Sequence, residues 1–170
     1  MSHVCQLEKK WFVLFTKPRY EKKIAQEISL MDYEHYLPLR TTLRKWSDRT
    51  KRIQEPLFPN YLFVKISMQE KYKVLSADGV VKFVSFAGRP VPISEMEIVK
   101  IKRIESADHD IAVERFSSIG EKVKVTEGIF AGLEGELIRA PQGSRLLIKL
   151  HMINYAISVE MHTSHVQKIV

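Results

Sequence analysis

Leu57-Phe58-Pro59-Asn60-Tyr61-Leu62-Phe63-Val64 is the stretch that decides how this chain reads. Pro59-Asn60 is a turn, and Tyr61 to Val64 is an unbroken apolar run. A strand without polar alternation is covered on both faces of its pleat. A central strand of a sheet accounts for Leu62 and Val64 with nothing further. It accounts less well for Phe58 and Tyr61, which flank the turn. Rings at a sheet end can stand half exposed, where a partner would cover them.

Upstream, Trp11 to Phe15 is a short apolar run of strand length, broken by Thr16-Lys17-Pro18-Arg19. From Tyr20 to Met31 the period becomes helical, with Ile24, Ile28 and Met31 at i, i+4 and i+7. Tyr36-Leu37 begins a short strand before Pro38. Residues 41–56, polar around Trp46-Ser47-Asp48, read as an exposed β-hairpin. Downstream of strand 61–66, Met68 to Leu75 is a short helix ended by Asp78-Gly79, and Val80 to Phe86 is strand-like. Ser94-Glu95-Met96-Glu97 has capping-box spacing and opens a helix with Ile98, Ile101 and Ile104 on one side.

Residues 107–118 lack a sustained apolar pattern and read as a linker, dividing the chain into domains 1–106 and 119–170. The remainder is short strands punctuated by turns. Lys122 to Thr126 alternates, and Gly128 and Gly132 permit left-handed backbone at both ends of a tight loop. Five strands in about 50 residues fit a small barrel that closes its own edges, with Phe130 capping one end. The expected fold class is α+β.

The chain has 170 residues, 45% hydrophobic and 28% charged, a globular composition. No apolar run approaches the roughly 18 residues of a membrane helix. Met1 to Lys10 lacks a secretory pattern, and Cys5 is the only cysteine, which fits a reducing cytoplasm. The net charge of +7 is uneven, +6 over residues 1–110 and +1 over 111–170. Two clusters dominate. Lys17, Arg19, Lys22 and Lys23 open the first helix beside Tyr20. Arg40, Arg44, Lys45, Arg49, Lys51 and Arg52 lie on the hairpin beside Trp46. Such charges serve either as a solvated surface or as a contact for a polyanion. Aromatic neighbours suit unpaired bases.

No catalytic or metal-binding constellation is visible. His162-x-x-His165 lacks a Cys or acidic partner at zinc spacing. Gly128-Ile129-Phe130-Ala131-Gly132 lacks the Lys-Ser/Thr that follows a phosphate loop. A non-enzymatic protein without cofactor or metal is expected.

The octet resembles the signature of the NusG/RfaH family of transcription elongation factors. Gly120 to Gly135 is similar to the family's KOW motif, with Ile129 where a proline is common. Residues 10–106 are similar to its NGN domain through Trp11, Lys17 to Lys23, the basic hairpin, the octet, Gly79 to Val84 and Pro90 to Ile101. Asn60 and Thr126-Glu127-Gly128 lean towards specialised RfaH-like antiterminators of polysaccharide operons.

The resemblance implies an NGN domain with a mostly antiparallel sheet flanked by helices, tethered to a five-stranded KOW barrel. It implies a cytoplasmic, nucleoid-associated factor that binds RNA polymerase at the clamp helices and reduces pausing and termination. Phe15, Phe58, Tyr61, Ile98 and Ile101 are its implied polymerase contacts. Lys17, Arg19, Lys22, Lys23, Arg44, Lys45, Trp46, Arg49, Lys51 and Arg52 are implied to meet non-template DNA, as are Lys71, Tyr72 and Lys73. Tyr72-Lys73-Val74 stands where RfaH carries His-Thr-Thr, which departs from the family's second polymerase contact. The KOW domain is implied to recruit a small-subunit ribosomal protein or Rho through Phe130, Met152 and Ile153. The rival reading is a ribosome-associated or RNA-binding KOW protein.

Overall fold

The computed structural model describes residues 8–46, 48–106, 111–115, 120–140, 143–150, 153 and 155–169. The chain divides into two compact units, Met1–Glu97 and Ile98–Val170.

In the first unit the octet forms strand β5 (Tyr61–Ile66), and its apolar run places it in the sheet interior. The sheet order is β2 (Glu34–Tyr36), β5, β1 (Lys10–Thr16), β6 (Val80–Phe83), with antiparallel neighbours. Both faces of β5 are covered, as the unalternating sequence requires. On one face Phe12, Leu14, Leu62, Val64 and Ile66 meet Ile24 and Ile28 of helix α1 (Glu21–Leu30) and Val74 of helix α2 (Lys71–Leu75). The i, i+4 spacing of Ile24 and Ile28 puts both on the sheet-facing stripe of α1. Met31 does not join them. The helix ends before it, Asp32 turns to φ 62°, and Met31 is left partly exposed.

The hairpin of β3 (Leu39–Lys45) and β4 (Thr50–Pro56) stands apart as a two-stranded sheet. A smaller hairpin pairs β7 (Ser85–Phe86) with β8 (Arg89–Pro90). The capping box before helix α3 (Glu95–Glu105) forms: the Glu97 N–H donates to Ser94 Oγ, and the Ser94 N–H donates to Glu97 Oε2, each at 3.2 Å. An equivalent box at Ser67 and Glu70, which the sequence reading missed, opens the 3-10 turn Met68–Glu70 ahead of α2.

The second unit holds β9 (Ile111–Arg115), β10 (Glu121–Val125), β11 (Glu134–Ala140), β12 (Gly143–Leu150), β13 (Tyr155–Glu160) and β14 (Val166–Lys168). They form one antiparallel sheet in the order β14-β10-β11-β12-β13-β9. The five strands expected in residues 119–170 are β10 to β14, and Ile111–Arg115 of the expected linker adds a sixth, paired along β13. An edge strand takes its hydrogen bonds from its neighbour and needs no apolar period of its own, so the sequence conceals it. The two compact units divide between Glu97 and Ile98, inside α3. Residues 107–110 and 116–119 lie outside the described residues.

Gly128 and Gly132 adopt φ 79° and 85° at the ends of the loop between β10 and β11. The loop closes through the Gly132 N–H to Val125 O and the Val125 N–H to Leu133 O, both 2.8 Å. No helix among the described residues is long and apolar enough to cross a membrane.

Candidate functional site

The second face of the first-unit sheet is where exposed apolar surface and structural order meet. Phe15 on β1 faces Tyr61 on β5 and Lys82 on β6, one row across three strands. Phe15 and Tyr61 are half-buried, and their rings stand edge to face with centroids 5.5 Å apart. One row further in, Val13 and Phe63 are fully covered. Phe58 is also buried, 1% exposed, with its ring edge-on to Phe63 at 6.3 Å. The expectation of two half-exposed rings flanking the turn therefore holds for Tyr61 and is corrected for Phe58. The turn folds Phe58 back under the sheet end, where it props Phe63. Ile98 and Ile101 are likewise fully buried on α3 rather than displayed.

The turn owes its shape to Asn60 and to the carboxylate of Glu21, which the sequence reading left aside. Asn60 sits in the left-handed region at φ 71°, and its N–H donates to Glu21 Oε1 at 2.8 Å. Its side-chain amide donates to Thr16 O at 3.1 Å, and the Thr16 N–H donates to Asn60 O at 2.9 Å. Glu21 is a buried carboxylate in the first turn of α1, so it serves both the helix dipole and the turn that presents Tyr61. The opposite end of the face is closed by Glu95. It accepts from Trp11 Nε1 at 3.0 Å and from Lys65 Nζ at 3.1 Å. That hydrogen bond, with Glu34 nearby, holds the Lys65 ammonium above its usual pKa.

The basic residues lie on several elements. Lys17 and Lys23 stand 5.7 and 5.3 Å from the centre of the Tyr20 ring. Lys23 is hydrogen-bonded to Asp78, which raises its own pKa and lowers that of Asp78. Tyr20 lies directly over Gly79, at φ 101°, where an added Cβ would sit 2.3 Å from the ring. Arg19 is exposed, and Lys22 Nζ donates to Gln54 O of the hairpin at 2.8 Å. Arg44 and Lys51 face each other across the hairpin, and Lys45, Arg49 and Arg52 are exposed around them. Directly opposed like charges destabilise a ribbon, and a two-stranded ribbon is marginal in water. Among the described residues, the Arg44–Glu55 pair, at 2.8 Å, offsets this most closely. Trp46 is 57% exposed near the tip, and Ser47 lies outside the described residues. On α2, Lys71 Nζ covers the exposed Tyr72 ring at 5.6 Å, and Lys73 is exposed.

In the second unit Phe130 and Ile153 are buried, 3% and 4% exposed, so neither is displayed as a contact; Met152 lies outside the described residues. Ile129 is the exposed apolar residue of that loop. It borders a hollow of about 410 Å³ with Phe130, Met161, His162 and His165. The two histidine rings are 5.9 Å apart, and His165 lies 3.9 Å from Glu127. No group of three or more metal-ligating side chains occurs among the described residues. Glu136 accepts from Lys149 Nζ at 2.6 Å and from the Gly120 N–H at 3.0 Å, which holds its carboxyl below the usual range despite partial burial.

The family described as "Transcription termination factor nusG" matches residues 9–102, the stretch that contains the aromatic row, the octet and the basic hairpin. The chain belongs to the NusG family. Its role is accordingly in transcription, among termination and antitermination factors. The NusG-family relatives match almost from end to end. The transcription termination/antitermination protein NusG of Lactococcus lactis subsp. lactis (strain IL1403) is 26% identical over 188 residues, covering 99% of this chain and 97% of the relative. That of Halalkalibacterium halodurans is 27% identical over 178 residues, covering 96% and 100%. A solved structure of Thermotoga maritima NusG, described as a study of domain interaction, superposes with a TM-score of 0.60 at 26% identity, covering 96% of this chain and 98% of that one. The α+β architecture, with its β-rich second unit, is thus that of the NusG family.

Proposed function

We propose that this NusG-family chain binds RNA polymerase through the open end of its first-unit sheet. The supporting observation is the half-buried Phe15–Tyr61 pair set on a fully covered floor of Val13 and Phe63. Rings already packed against each other lose little freedom on binding, and a few such anchors carry most of an interface's energy. The occupant is the helical hairpin of the polymerase clamp. Preferential binding to the closed clamp shifts the population away from paused states and so suppresses pausing and termination. The cationic hairpin, Lys17–Lys23 and Lys71–Lys73 then lie along non-template DNA, giving affinity without sequence. The second unit recruits a further protein, a small-subunit ribosomal protein or Rho, through the loop that displays Ile129. Asn60 and Thr126-Glu127-Gly128 support a factor specialised for particular operons.

Capture of core polymerase by the full chain tests this reading. Tyr61→Ala is expected to weaken capture at least about tenfold, the scale of an interface anchor. Capture equal to wild type by a folded Tyr61→Ala,Phe15→Ala double variant would sink the clamp model.

A further inference from the structure

A cleft of about 350 Å³ opens between the start of α1, the octet turn and the base of the β3–β4 hairpin. Three cationic side chains from three separate elements line it: Arg19 before α1, Lys22 in its first turn and Arg40 on β3. Pro18, Pro56 and Pro59 form stiff apolar walls. Arg19 and Asn60, both on the rim, are held at positive φ, 67° and 71°. Side chains other than glycine reach that region at a cost and are held there by surrounding structure. The cleft is therefore braced without a ligand.

Its charges are unevenly satisfied. Glu21 also lines the cleft, but it is buried and accepts the Asn60 N–H. Glu55, the other acidic residue, is paired with Arg44 at 2.8 Å. Lys22 gives one hydrogen bond to Gln54 O and keeps further donors. Arg40 is the unsatisfied member. Its Nε is buried and has no hydrogen-bond partner. A covered, unpartnered donor on a charged group is costly, and an anion that draws the guanidinium round into the cleft would relieve it.

We infer that this cleft seats one phosphodiester of a nucleic-acid strand. Arg40 and Lys22 hold the phosphate, Arg19 guards the rim, and the adjoining sugar or base lies on the proline walls. The volume, near the lower end of the roughly 300–1,000 Å³ usual for small-ligand sites, suits one nucleotide unit rather than a helix or a loop. Arginine's planar fork matches a phosphate better than lysine's point charge does. The inference rests on the nucleic-acid contact proposed above and gives Arg40, one of the hairpin's cations, a defined seat within it.

Fluorescence anisotropy of the full chain with labelled oligothymidylate, titrated across salt, tests it. Removing one cation that neutralises a phosphate should flatten the log–log salt slope by about 0.7. Arg40→Gln and Lys22→Gln are each expected to weaken binding severalfold and flatten the slope by that amount, with unchanged far-ultraviolet circular dichroism. Arg40→Lys should keep most of the slope yet still bind more weakly, because it lacks the fork. Lys22 is exposed, so its variant remains informative if Arg40→Gln does not fold. Lys17→Gln and Lys51→Gln report on the wider contact. If wild type does not bind the strand, or these two variants leave binding unchanged, the nucleic-acid reading itself fails. If they weaken binding while Arg40→Gln and Lys22→Gln keep the wild-type slope, the cleft assignment alone is overturned. Poly-L-glutamate competing as well as oligothymidylate at equal charge would also overturn it. An oligouridylate arm distinguishes an RNA strand from DNA as the source of the phosphate.

Discussion

The two faces of the first-unit sheet share the same strands and end differently. On the α1 face, Phe12, Leu14, Leu62 and Val64 are covered from one end to the other by Ile24, Ile28 and Val74. On the opposite face Trp11, Val13 and Phe63 are covered, and then the cover stops, leaving Phe15 and Tyr61 half-buried beside Lys82. The residue types do not differ enough to explain this, since both faces are aromatic and aliphatic. The difference lies in what is laid over them. A helix with an i, i+4 isoleucine pair closes the first. A turn pinned by Glu21, together with the Glu95 carboxylate, closes only part of the second. Exposed aromatic surface on a rigid floor is what an interface needs, and it arises where cover is withheld.

The largest effect should come from opening the closed face. Ile24→Ala is expected to cost about 2–5 kcal/mol, read as a lower urea midpoint with an unchanged slope. A loss under about 1 kcal/mol would mean that α1 does not seal the face as described. Glu21→Ala should come next, at about 1–3 kcal/mol, because it strands the half-buried Asn60 N–H and empties a buried site. It should also weaken polymerase capture, although Glu21 itself is buried, by freeing the turn that aims Tyr61; wild-type capture by this variant would separate the turn from the interface. Phe15→Ser, at the open end, should cost least, about 1 kcal/mol or less, in the same denaturation measurement. A loss as large as that of Ile24→Ala would show that both faces are core and erase the contrast.

How much was legible differs by residue. Tyr61 to Ile66 and Glu21 to Leu30 were readable as strand and helix because their apolar periods are local and uninterrupted. Gly128 and Gly132 were readable because a left-handed turn leaves few alternatives to glycine. Phe58 was misread because the sequence shows a ring beside a turn but not which way the turn folds it. Phe130 and Ile153 are likewise apolar side chains that the second unit keeps for itself, a burial that their local sequence does not show. Strand β9 was invisible because its partner, β13, lies some forty positions away in the chain. The Lys23 partner of Asp78, the Trp11 partner of Glu95 and the missing acceptor at Arg40 gave no signal, since each depends on residues distant in sequence.

By itself the sequence determined the central strand, the first helix and the glycine loop, while the octet and the KOW-like stretch supplied the resemblance to the NusG family that the match over residues 9–102 shows. Those are matters of local period and of residues that tolerate one backbone conformation. Only the tertiary structure decided which aromatics are covered, which carboxylate pins the octet turn and which arginine is left without an acceptor. The reason is physical: propensity acts over a few bonds, whereas burial and hydrogen-bond satisfaction depend on what the rest of the chain brings within a few ångströms.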